Sequence, residues 1–118
     1  MKRILVVDDS QSVRETLVLV LRAAGFDAVG AATAAAAMES ARLQCPDILL
    51  CDVHLDGVTG VELSQQIVKL LPKCRIILIS GDTSSTDIFA NARASGYQFE
   101  VLPKPTMPGE LLALLSQP

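Results

Sequence analysis

Residues 2–10, K-R-I-L-V-V-D-D-S, place two carboxylates directly after an apolar run. Four consecutive large aliphatics, Ile4 to Val7, read as a buried strand bounded by polar residues. Asp8 and Asp9 then crowd the C-terminal mouth of that strand, where like charges repel unless something cationic sits between them. Which cation sits there is the functional question.

Four further runs resemble the first: D-A-V-G-A (27–31), D-I-L-L-C (47–51), R-I-I-L-I-S (75–80) and F-E-V-L-P (99–103). Their near-continuous hydrophobicity fits strands covered on both faces, as in a parallel sheet. Segments of helical period lie between them. Val13, Leu17, Val20, Leu21 and Ala24 form one stripe, and Leu63, Ile67, Leu70 and Leu71 another. Ala34, Ala37, Met38 and Ala41 make a small-residue version, and Leu111, Leu112, Leu114 and Leu115 give the last helix a leucine face. Ser12 and Glu15 have capping-box spacing, and Gly25 stands where a C-terminal glycine belongs. Thr33 and the cluster Thr83, Ser84, Ser85 are expected to cap the second and fourth helices. The pattern is (βα)₅, an α/β domain with a five-stranded parallel sheet.

Composition narrows the function. A chain of 118 residues is expected to form one domain, 1–118, with no output domain. Half of the residues are hydrophobic but only 3% aromatic, so the core is mostly aliphatic. A charged fraction of 19% and net charge of −3 argue against disorder and against direct nucleic-acid binding. No apolar stretch approaches the ~20 residues that span a bilayer, so no membrane association is expected. Cys45, Cys51 and Cys74 form no CxxC pair and read as reduced thiols of a cytoplasmic protein.

In open α/β sheets ligands sit outside the carboxyl ends of the strands. There the first strand presents Asp8 and Asp9, the third Asp52, the fourth Ser80, and the fifth runs to Lys104. Oxygen ligands crowded like this suit a hard cation, and Mg²⁺ binds through one or two carboxylates, waters and a phosphate. The cation is most simply Mg²⁺, with Lys104 as a partial counter-charge.

At this point the sequence resembles the receiver domains of two-component response regulators, the CheY-like superfamily. V-V-D-D-S (6–10), D-I-L-L-C-D-V-H-L-D-G-V-T-G (47–60), I-L-I-S-G-D (77–82) and L-P-K-P (102–105) occur in the family's order and spacing. The resemblance covers the whole chain and implies a flavodoxin-like, doubly wound sheet of order 2-1-3-4-5. It implies that Asp52 accepts a phosphoryl group from a histidine kinase or phosphotransfer protein. Asp8, Asp9, Asp52 and the backbone carbonyl of His54 would hold Mg²⁺. Lys104 would pair with Asp52 and then with a phosphoryl oxygen, and Ser80 would donate to another. The Lys104–Pro105 bond is expected to be cis, as is common in the family. Such a domain is not an enzyme beyond catalysing its own phosphorylation and dephosphorylation. Its output is changed binding to a protein effector or to a second copy, through the fourth helix, fifth strand and fifth helix.

Two positions depart from the family pattern. Asp56 stands where proline is common, four residues after Asp52. Val101 stands three residues before Lys104, where a Tyr or Phe usually reports phosphorylation; Tyr97 and Phe99 are out of register. His54, the single histidine, reads as a side chain at the site's rim, and Cys51 as a packing residue. Two other functions compete. One is a degenerate receiver acting as a constitutive interaction module. The other is a haloacid-dehalogenase-like phosphatase, which wants an acid two residues after its nucleophile, where this chain has His54.

Overall fold

The computed structural model describes residues 2–55, 59–80, 99–103 and 107–116. Strands β1 (Arg3–Val7), β2 (Asp27–Ala31), β3 (Ile48–Asp52), β4 (Arg75–Ser80) and β5 (Glu100–Pro103) form one sheet. Their order is β2-β1-β3-β4-β5 and every pairing is parallel, which is the doubly wound, flavodoxin-like arrangement. Helices α1 (Gln11–Ala23), α2 (Ala34–Gln44), α3 (Gly60–Leu70) and a C-terminal helix (Pro108–Leu115) accompany it. The fourth helix expected between β4 and β5 falls on residues 81–98 and lies outside the described residues, as do Asp56, Asp82, Lys104 and the Lys104–Pro105 bond.

Side chains alternate across a strand, so a strand covered on both faces must be apolar at every position. Leu5, Val7, Leu49, Cys51, Ile76 and Leu78 point to one face and pack with Ala37 and Ala41 of α2 and Leu63 and Ile67 of α3. Ile4, Val6, Ile48, Leu50, Ile77 and Ile79 point to the other and meet Leu17 and Leu21 of α1 and Leu111 and Leu115 of the C-terminal helix. The stripes are narrower than their sequences suggest. Val13 and Leu70 are 37% and 41% exposed, and Ala24 is also exposed. Val13 and Leu70 lie at the edges of the buried arcs of their helices, and Ala24 is the C-cap residue just beyond α1.

Local signals at helix ends fare unevenly. Thr33 caps α2, accepting from the Ala36 amide at 3.1 Å, and Gly25 follows α1 with a φ of +94°, the left-handed region glycine enters at no steric cost. The Ser12–Glu15 capping box does not form. The N-cap is Ser10, Ser12 is already helical, and Glu15 accepts from the Gln11 side chain at 3.0 Å. The Ser10 amide is taken by Asp8 Oδ1 at 2.9 Å, so a buried carboxylate two residues upstream closes the turn first.

At the opposite pole, Arg75 joins three elements. Its guanidinium donates to both carboxylate oxygens of Glu100 on β5, one at 2.7 Å, and to the Leu114 carbonyl of the C-terminal helix at 3.0 Å. The Arg75 hydrogen bond holds the Glu100 carboxyl below its usual range, against an opposing push from burial. A carboxyl depressed in the folded state lends stability above its unfolded pKa, and that stability drains as pH falls through the lowered value. Wild type should therefore lose stability more steeply than Glu100→Gln as pH falls below the ordinary carboxylate value of about 4.5. Urea midpoints measured across that window check this, and parallel curves would contradict it.

Candidate functional site

The β1–β3 register pairs Val7 with Cys51, so the next residues, Asp8 and Asp52, emerge side by side from adjacent strands. Neighbouring strands run about 4.8 Å apart, which sets the scale of that approach. Both acids follow the alternation of Val6 and Leu50, so they leave the sheet on the same face. Asp9 is the first residue of the turn into α1. Carboxylate oxygens of Asp8, Asp9 and Asp52 all lie within 4.8 Å of one another. Asp8 and Asp52 are 1% and 4% exposed, whereas Asp9 opens to solvent.

Burying two like charges together is costly without a counter-charge. All-oxygen donors, two of them buried and one reaching solvent, fit a hard divalent cation that keeps part of its water shell. The site also orients its acids from the backbone. Asp52 Oδ1 accepts from the His54 amide at 3.1 Å, and Asp8 Oδ1 from the Ser10 amide at 2.9 Å. Each carboxylate thus closes a turn at its own strand end. His54 itself is exposed, consistent with a side chain at the rim. Ser80 ends β4, half-buried, one residue beyond Ile79, the register partner of Asp52. Lys104 falls outside the described residues.

The response regulator receiver domain family matches residues 4–116. The chain is a member of that family. The DNA-binding response regulator MtrA of Mycobacterium tuberculosis is 30% identical over 112 residues, covering 95% of this chain and 48% of that protein. The transcriptional regulator NtrC of Escherichia coli K12 is 33% identical over 115 residues, 95% of this chain and 24% of that protein. The receiver chain thus spans about half the length of one curated relative and a quarter of the other. Among solved structures, the chemotaxis protein CheY4 of Vibrio cholerae superposes with a TM-score of 0.89 at 28% identity, covering 99% of this chain and 98% of that one.

Around this receiver site stand residues the motifs alone did not disclose. Thr59 caps α3, accepting from the Glu62 amide at 3.1 Å. Gly60 follows, and its amide donates to the Val53 carbonyl at 2.7 Å. The fully buried Ser64 hydroxyl donates to the Gly60 carbonyl at 2.7 Å. The first turn of α3 is therefore seated on the strand end that carries Asp52. A glycine at a helix start, where helix propensity does not ask for one, was the available signal. The Cys51 thiol, buried beside Asp52, is pushed far above its usual range by burial first and then by the charges of Asp52 and Asp8. It stays protonated and packs, as its place in the strand implied. Val101 lies on β5 and is 43% exposed. Among the described residues no helix is long and apolar enough to cross a membrane.

Proposed function

We propose that this receiver is a phosphoryl-accepting switch in which Asp52 takes a phosphoryl group from the phosphohistidine of a kinase or phosphotransfer protein. The observation that carries this is the buried Asp52 carboxylate at the C-terminal end of β3, within 4.8 Å of the Asp8 and Asp9 oxygens. Asp8, Asp9 and Asp52, with the His54 carbonyl, are the residues that would hold Mg²⁺. When bound, that ion neutralises phosphoryl oxygens and lowers the repulsion between donor and acceptor anions.

An Asp52 oxygen attacks phosphorus, the new O–P bond forms as the donor's N–P bond breaks, and the imidazole leaves with its electron pair and takes a proton. Positioning does most of the work, because the transferred group carries its charge on oxygens that the site must only accommodate. The His54 amide keeps one carboxylate oxygen occupied and so aims the other. Lys104 pairs with the phosphoryl group, and Ser80 donates to it and senses it. Water later attacks the acyl phosphate and regenerates the carboxylate, so the chain catalyses only its own phosphorylation and dephosphorylation.

The phosphorylated state acts by binding a protein effector or a second copy differently, since a ligand shifts states only through differential affinity. No ring stands at Val101 to turn inward, which leaves Ser80 as the sensing side chain of the switch. The proposed unit is one receiver module over 1–118, working in the cytoplasm where ATP feeds the donor kinase. Incubation with acetyl phosphate should add one labile phosphoryl mass in Mg²⁺ and none in EDTA, read by intact mass. Sustained release of phosphate from phosphomonoesters would favour the phosphatase reading. An intact fold that never takes phosphate would favour a constitutive interaction module.

A further inference from the structure

We propose that Arg14 is a positioning residue for the acid cluster, and that Gly30 of β2 is bare because the Arg14 side chain lies across it. This rests on the receiver reading given above. Arg14 Nη1 donates to the Asp8 carbonyl at 2.8 Å. That carbonyl belongs to the peptide joining Asp8 to Asp9. On its other side the Asp8 amide donates to the Ala31 carbonyl of β2 at 3.3 Å. The backbone of Asp8 is thus held at its amide by the sheet and at its carbonyl by α1. Fixing the carbonyl fixes ψ of Asp8 and φ of Asp9, and with them the direction in which the solvent-facing Asp9 carboxylate leaves the chain.

Gly30 supplies the independent observation. A glycine inside a strand weakens it and often marks a close approach by another group. Its φ does not require glycine, because among the described glycines only Gly25 has a positive φ. What does require it is space: a Cβ at Gly30 would stand 2.9 Å from Arg14 Cγ and 3.0 Å from Cδ. Those atoms are the middle of the side chain, and displacing them draws the guanidinium away from the Asp8 carbonyl.

Charge and positioning make opposite predictions. A guanidinium bonded to the Asp8 carbonyl repels a metal ion held by the acids, so by charge alone its removal tightens Mg²⁺ binding. Loss of positioning loosens it, and supporting residues around a metal site typically account for tenfold or more in affinity. Isothermal titration with MgCl₂ separates the two and needs no phosphoryl donor. Arg14→Met should bind Mg²⁺ about tenfold more weakly than wild type. Gly30→Ala should weaken it in the same direction with every acid intact. Arg14→Lys, which keeps the charge but loses the planar fork, should fall between wild type and Arg14→Met. The double variant should be no weaker than Arg14→Met alone, because both changes act through one contact. Binding by Arg14→Met as tight as wild type or tighter, or penalties that multiply in the double variant, overturns the inference alone. Wild type that takes up no Mg²⁺ overturns the receiver reading and this inference with it.

Discussion

Asp52→Asn should abolish phosphate incorporation from acetyl phosphate and leave the domain folded. Asparagine matches aspartate in shape but offers no anionic oxygen to attack phosphorus. Its Oδ1 still accepts from the His54 amide, a bond the native carboxylate makes at 3.1 Å, so the turn after β3 survives. Intact mass reads the loss of phosphate uptake, and urea unfolding checks that the fold is retained. Phosphorylation of the variant at the wild-type rate would remove Asp52 from the chemistry.

Substitution of Gly60 damages the same site from the other side. A Cβ there would fall directly against the Asp52 carbonyl oxygen, and 2.9 Å from the Asp52 carbonyl carbon and Val53 Cα. All three are backbone atoms, so no rotamer change relieves the clash, and either α3 or the end of β3 must move. The Gly60 amide resists the movement of α3 through its 2.7 Å hydrogen bond to the Val53 carbonyl at the strand end. Gly60→Ala should cost about 3 kcal/mol, the upper end of what overpacking usually costs. Phosphorylation under native conditions should slow by about a hundredfold, as expected when a reacting group shifts by about 1 Å. Urea midpoints and the rate of phosphate uptake check these together. Wild-type stability in Gly60→Ala would show that α3 is not seated on β3 in this way.

Much of the fold was legible because burial on both sheet faces writes itself into consecutive residues. The runs at 3–7, 27–31 and 75–80 coincide with β1, β2 and β4. The third run was displaced by one, because Asp52 is strand by hydrogen bonding though its side chain belongs to the site. The acid cluster was legible because its members fall at strand ends, where topology converts sequence position into proximity. Contacts between elements distant in sequence were not. Nothing in the α1 sequence says that Arg14 reaches the Asp8 carbonyl, or that Gly30 lies beneath it, since each fact depends on how α1 crosses β2. The Ser12–Glu15 box misled for a related reason: the spacing was right, but the buried Asp8 carboxylate had already closed the turn. Val13 and Leu70 show the limit of periodicity, which gives the direction of a helix face but not its width.

The buried carboxylate at the end of β3 is the proposed covalent acceptor. The most direct measurement is to phosphorylate the wild-type chain with acetyl phosphate in Mg²⁺, reduce it with borohydride and map the product by peptide mass. Reduction converts an aspartyl phosphate to homoserine and leaves free carboxylates unchanged. Homoserine is expected at position 52 and at no other aspartate. Homoserine at Asp8 or Asp9, or a phosphoryl group on His54 with Asp52 unmodified, would contradict it.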